Sequence, residues 1–146
     1  MRTTRSILVV LGLAVMLAVS VGTVSAGGQP RVVHMDGAQE VPGPGDPDGS
    51  GTAWFWFNRG QNEMCYAIQV EDILLPAIGA HIHKAPAGAF AGVFIPLATP
   101  DASGFSSGCV ELAEGVVKEL SKNGAEYYVN VHTTDFQPGA VRGQLG

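Results

Sequence analysis

Short runs of alternating apolar and polar residues, separated by turn-forming residues, constrain the fold of this chain more than any other feature. In segment 63–70, every second residue from Met64 to Val70 is apolar, so these side chains share one face of a β-strand. Eight strand-like segments occur, at 31–35, 51–57, 63–70, 78–83, 92–97, 105–112, 125–132 and 140–145, with one short helix predicted at 114–122. The pattern predicts an all-β sandwich or barrel with Greek-key connections.

The first 26 residues have the pattern of a secretory signal peptide. Arg2 and Arg5 form a basic region, 7–19 is apolar, and the small residues 24–26 (Val-Ser-Ala) form a cleavage site. The apolar stretch is too short and wrongly flanked for a membrane anchor. We therefore expect one mature domain of residues 27–146, without a membrane span after cleavage, that is secreted or periplasmic.

The charge of the mature domain excludes one class of partner. Without Arg2 and Arg5, the chain has six basic and thirteen acidic residues, which gives a net charge of −7. An acidic domain with no basic stripe is a poor candidate for binding nucleic acid. We expect no nucleic-acid partner.

The two cysteines are expected to form a disulfide. Export would place Cys65 and Cys109 in an oxidising compartment, where pairing is the default. The rival interpretation, free thiols or thiolate metal ligands, has less support because there is no CxxC motif and neither cysteine is near a histidine in sequence.

Three of the four histidines fall at the polar positions of two predicted strands. His81 and His83 are two residues apart, so they point to the same side of their strand, and His132 ends a later strand. The apolar residues between them should face the core, which places the histidines outward or in a pocket covered by a loop. The same alternation puts Asn130 on the non-core face and leaves Arg142 on the outside of the fold. If the strands are neighbours, these side chains converge.

Four motifs in this order carry a resemblance to a known family. They are 38–42 (AQEVP), 80–83 (AHIH), 128–133 (YVNVHT) and 138–145 (PGAVRGQL). Together they resemble the CHRD domain, which is named for the extracellular developmental protein chordin and also occurs in secreted bacterial proteins. The resemblance covers about residues 31–146 and implies a secreted immunoglobulin-like β-sandwich. It implies no settled biochemical activity.

A weaker resemblance is to copper/zinc superoxide dismutase. That family has a Greek-key β-barrel with a His-x-His strand, a late strand ending in histidine and an arginine before the last strand. By this resemblance His81, His83 and His132 match three copper ligands, and Arg142 matches the anion-guiding arginine. No histidine lies between His83 and His132, so the bridging ligand and the zinc subsite are absent. Any such site would hold a single ion.

The histidines therefore allow two interpretations. Three neutral imidazoles suit copper or zinc, with His34 or a water as a fourth ligand and Asn130 or Glu40 orienting a ring. Alternatively, the histidines hydrogen-bond loop backbone and hold the 84–91 loop in place. The second interpretation is the more common outcome for a His-x-His strand.

No catalytic motif accompanies these residues. The sequence has no nucleophile-elbow pattern, no phosphate-binding loop and no HExxH helix. The sequence thus favours a secreted CHRD-type binding or interaction module without catalysis, with an extracellular or periplasmic protein as partner. The alternative is a mononuclear copper- or zinc-binding protein, redox-active if the metal is copper.

Overall fold

The computed structural model describes residues 28–146, and the predicted signal peptide at 1–26 lies outside the described residues. The elements are β1 (Arg31–Asp36), β2 (Ser50–Asn58), β3 (Glu63–Glu71), β4 (Gly79–His83), β5 (Val93–Pro96), β6 (Phe105–Glu111), α1 (Val116–Lys122), β7 (Tyr128–His132) and β8 (Val141–Gln144). The eight predicted strands and the predicted helix are confirmed, with shifted boundaries. No helix within this described range has the length and apolar character needed to span a membrane.

All eight strands belong to one curled, half-barrel sheet with the order β5-β4-β7-β8-β1-β2-β3-β6. Every pairing between neighbouring strands is antiparallel. Three neighbouring pairs, β4–β7, β8–β1 and β3–β6, are not consecutive in the chain, so the connections between them cross over. The order places β4, β7 and β8 side by side, as the predicted convergence of their polar residues requires.

The core occupies the concave side of the sheet, where the apolar positions of each strand meet. On β3, Met64 and Ile68 are fully buried, as the alternation predicts. Ala80 and Ile82 on β4 and Val129 on β7 are also fully buried. Because strand side chains alternate between faces, burial of these residues forces the intervening polar residues to the convex side.

The predicted disulfide is confirmed on the convex side of β3 and β6. Cys65 and Cys109 stand directly opposite each other in the antiparallel pairing and are bonded. Residues that face each other across such a pair bring their Cβ atoms close enough for a cross-strand bond. The bond attaches β6, an outermost strand, to the strand beside it.

The helix is short and is held in place by both packing and a cap. Val117 and Leu120 are its buried residues. Arg31 on β1 donates to the carbonyl oxygens of Leu120 at 2.9 Å and Ser121 at 2.8 Å, which satisfies acceptors that the helix C-terminus leaves open. A 3₁₀ turn, Gly124–Glu126, follows, so β7 begins at Tyr128 rather than at the predicted residue 125.

Candidate metal centre and the loop above it

The convex face of β4, β7 and β8 carries a grid of polar and aromatic side chains. In the strand register His81 lies opposite Asn130, and Asn130 lies opposite Arg142. One step along, His83 lies opposite Tyr128. These residues share a face because they alternate with the buried apolar residues, so the predicted facing of the β4 histidines and of Asn130 agrees with the structure.

The structure brings His81, His83 and His132 together. A ring nitrogen from each lies within 4.8 Å of a ring nitrogen of the other two. The closest pair is His81 Nδ1 and His132 Nε2, which are 3.0 Å apart and share a hydrogen bond. His132 Nδ1 lies 2.9 Å from the Gln137 carbonyl oxygen. Since a carbonyl oxygen only accepts, His132 donates a hydrogen bond from Nδ1 to Gln137. Its Nε2 therefore carries the lone pair and accepts a hydrogen bond from the Nδ1–H of His81.

Gly79 creates the space in which these two rings meet. It is the residue opposite His132 on β4. A Cβ atom at position 79 would lie 3.0 Å from His81 Cε1 and 3.4 Å from His132 Cδ2. The lack of a side chain at Gly79 therefore lets both imidazoles lean over the strand and touch.

Burial keeps the two contacting histidines neutral. The His81 pKa falls to about 4, first because burial disfavours its charged form and then because His132 and His83 repel that charge. The His132 pKa is also lowered, chiefly by burial, although its bond to the Gln137 carbonyl opposes the shift. Both rings are therefore uncharged near neutral pH and can offer lone pairs.

His83 is buried and has both ring nitrogens engaged. Its exposed fraction is 4 %. Nδ1 lies 2.9 Å from the Ala91 carbonyl oxygen, and Nε2 lies 2.9 Å from Asn130 Oδ1. Its ring also stacks on Tyr128, with centroids 4.6 Å apart and planes 5° apart. His83 thus ties β4 to β7 and to the end of the 84–91 loop.

Arg142 is buried, and its predicted position outside the fold is wrong. It is on the predicted face but is only 1 % exposed. Its guanidinium lies 3.5 Å from the centroid of the Tyr128 ring and donates to the carbonyl oxygens of Ala89 at 2.9 Å and Pro86 at 3.1 Å. The 84–91 loop folds over the convex face and covers this charge. Arg142 is therefore a clamp for that loop.

Glu40 lies beside this network with an unusual environment. It is 5 % exposed, and neither carboxylate oxygen has a partner of hydrogen-bond geometry within residues 28–146. Burial raises its pKa to about 7, although Arg142 and the nearby donors of Asn130 and Val41 act in the opposite direction. Its carboxyl group packs against Gly139, where a Cβ atom would collide with the carboxylate. Glu40 does not contact the histidines directly, so its predicted role in orienting a ring would act through Asn130.

His34 does not join the histidine cluster. It is on β1, three strands from β4 in the sheet, which corresponds to about 14 Å at about 4.8 Å per strand. Its ring is exposed and contacts the Thr52 hydroxyl at 3.4 Å. This separation does not support the predicted use of His34 as a fourth ligand. The sequence gives the facing of each strand alone and does not give the order of the strands in the sheet.

The sequence interpretation missed Tyr128 and Gln144. Tyr128 separates the ring of His83 from the guanidinium of Arg142 and stacks on both. Gln144 donates to the carbonyl oxygens of Ala85 and Ala125, each at 2.8 Å. Strand alternation places Tyr128 on the same face as Asn130, so this signal was available for the tyrosine. For Gln144, alternation indicated the face but not the loop that it contacts.

Replacing Glu40 with glutamine is expected to stabilise the protein at pH 8 by about 3 kcal/mol. The folded carboxyl holds its proton up to pH about 7, whereas the unfolded group releases it near 4.5. The stability that this group contributes is complete below pH about 4.5 and is lost as pH rises through 7. Urea denaturation of both proteins at pH 4.5 and pH 8 measures the difference. Equal stabilities at pH 8 would contradict the burial of an ionised carboxylate.

Comparison with known proteins identifies a family for this chain. The family model described as the CHRD domain matches residues 31–145, which is most of the chain. No curated protein and no solved structure matches the chain significantly. The matched range begins at β1 and continues past the end of β8, so it includes the whole sheet and the polar network on its convex face.

Proposed function

The chain belongs to the CHRD domain family, and from this premise we propose that it is a secreted binding module without catalysis of its own. The sheet order supports Greek-key connections within the module, because three pairs of neighbouring strands are connected by crossovers. The module would consist of residues 27–146, after removal of a signal peptide at 1–26. Release to a periplasm or to the outside of the cell is supported by the Cys65–Cys109 disulfide.

The observation that supports binding is an exposed apolar segment at one edge of the sheet. Phe90, Val93 and Phe94 are 65 %, 56 % and 41 % exposed. Exposed large apolar side chains concentrated in one short segment of the chain are a feature of interaction surfaces. Val93 and Phe94 belong to β5 itself, which is the outermost strand next to β4.

The edge at β5 lacks one of the usual protections against strand pairing, namely charged residues. Exposed edge strands normally carry charged residues that discourage pairing, yet residues 85–100 contain none. Pro96 limits pairing at the far end of the strand. We therefore assign the partner as an extended apolar segment of an extracellular or periplasmic protein, added as a strand beside Val93–Ile95.

Selection from a phage-displayed library of random peptides on the immobilised protein tests this proposal. We expect apolar peptides of high β-propensity to be enriched. A Val93→Ser/Phe94→Ser variant should bind them at least about 10-fold more weakly, since the loss of two apolar contacts exceeds about 1.4 kcal/mol. Val32, which is 48 % exposed on β1, supplies the control, because Val32→Ser should leave binding unchanged. Failure to enrich any peptide family, or equal binding by the edge variant, would contradict the proposal.

A second candidate function is supported by the histidine geometry. Three ring nitrogens lie within 4.8 Å of one another, and two of the three imidazoles are held neutral by burial. These are properties of a mononuclear copper or zinc site. By the weaker resemblance drawn from the sequence, this would be a superoxide-dismutase-like cluster without its zinc subsite. One equivalent of copper or zinc retained by the purified protein would favour this function. Redox activity is expected only if the metal is copper.

A further inference from the structure

The spacing of two histidine nitrogens is close to the spacing that one ion requires. Two nitrogens bound at about 2.0–2.1 Å are about 2.9 Å apart when they subtend a right angle and about 3.3 Å apart at the tetrahedral angle. His81 Nδ1 and His132 Nε2 are 3.0 Å apart. This value is nearer to the right angle, which is the tetragonal arrangement that Cu²⁺ favours.

The surroundings of the pair also suit an ion. His132 donates Nδ1–H to the Gln137 carbonyl, which fixes the ring with Nε2 facing His81, as is usual for metal-ligating histidines. His81 is only partly buried, so solvent reaches the pair. When His81 moves its proton from Nδ1 to Nε2, both facing nitrogens present lone pairs, and no proton has to leave the protein.

Neither ring nitrogen of His83 has a lone pair available for an ion. Its Nδ1 must carry a proton, because the Ala91 carbonyl can only accept. Its Nε2 is occupied by the Asn130 side chain, whichever end of that amide faces it. Stacking on Tyr128 and burial restrict rotation of the ring. Recruitment of His83 would break two hydrogen bonds that attach β4 to the 84–91 loop and to β7.

We propose that the ion site is a two-histidine Cu²⁺ site formed by His81 Nδ1 and His132 Nε2, with solvent in its other positions and His83 outside the ligand set. This inference rests on the second candidate function. It differs from the three-histidine site expected from the sequence, since it assigns His83 to the buried network rather than to the ion.

Titration of the mature protein with Cu²⁺, followed by electron paramagnetic resonance, tests the ligand set. We expect one equivalent to bind, with nitrogen hyperfine structure from two imidazoles. His81→Ala and His132→Ala should each weaken binding by at least about 100-fold, because removal of an outer-shell partner alone costs about 10- to 100-fold. His83→Phe keeps a ring to stack on Tyr128 and should bind within about threefold of the parent protein. His34→Ala is the matched control for loss of a histidine outside the site.

The outcomes separate this inference from the function on which it rests. If the parent protein binds no more Cu²⁺ than a His81→Ala/His132→Ala double variant, the metal-binding function itself is wrong. If the parent binds copper but His83→Phe loses it as fully as His81→Ala does, only the two-histidine assignment is wrong. The imidazole count in the parent spectrum gives an answer that does not depend on the folding of any variant: three imidazoles would overturn the assignment.

Discussion

Removal of the Cys65–Cys109 disulfide is expected to lower the free energy of unfolding by about 4 kcal/mol. The two cysteines are 44 residues apart in the chain, and closing a loop of that length in the unfolded chain accounts for a loss of this size in the chain-entropy model. Without the bond, β6 is retained only by its pairing with β3 and by its own packing, because it is an outermost strand. Fraying from that edge should follow.

Urea denaturation of the parent protein and of a Cys65→Ala/Cys109→Ala variant measures this loss. The m-value should rise in the variant, because the unfolded chain without a cross-link exposes more surface. Thiol titration of the denatured, unreduced parent protein should detect no free thiol, which verifies that the starting material is bonded. A loss of less than about 1 kcal/mol would contradict the chain-entropy account of this bond.

Most of the fold could be predicted because strand alternation is a local property. The period-two pattern of β3 identifies both the strand and its buried face without knowledge of any neighbour. The disulfide was predictable from two cysteines and the expectation of export. The start of β7 was not, because the 3₁₀ turn Gly124–Glu126 depends on how the chain leaves α1. Its first residue, Gly124, is buried where a Cβ atom would meet the Arg31 side chain.

The side of the sheet on which the candidate-site residues lie was predictable, but the extent of their burial was not. Alternation assigned His81, Asn130 and Arg142 to one side of the sheet, and the register confirms that they form one row. It could not indicate that the 84–91 loop folds back over this row, because that contact joins residues more than 50 positions apart. For this reason Arg142 was expected outside, and its burial was found only in the structure. His34 was associated with the cluster for a related reason, since facing says nothing about distance across the sheet.

Replacing Arg142 with methionine is expected to destabilise the protein by about 4 kcal/mol. The substitution removes two charge-assisted hydrogen bonds, to the carbonyls of Ala89 and Pro86, and the stacking on Tyr128. Bonds of that kind contribute about 1.5–3 kcal/mol each and a desolvated cation–π contact about 2 kcal/mol, before relaxation of the loop offsets part of the loss. The 84–91 loop should also open, because two of its carbonyls lose their donor.

Thermal and urea denaturation measure the stability loss, and limited trypsin digestion measures opening of the loop through cleavage after Lys84. Arg59 is exposed and, among residues 28–146, bonds only to the Ser121 hydroxyl. Arg59→Met is therefore the matched control and should change stability by less than about 0.5 kcal/mol. Arg142→Lys should lie between the parent and Arg142→Met, because an ammonium keeps the charge but cannot reproduce the planar fork that reaches both carbonyls while stacking on the ring. If Arg142→Lys were as stable and as protease-resistant as the parent, charge alone would hold the loop. If Arg142→Met were equally resistant, Arg142 would not clamp the loop, and its closure would have to depend on His83 and Gln144.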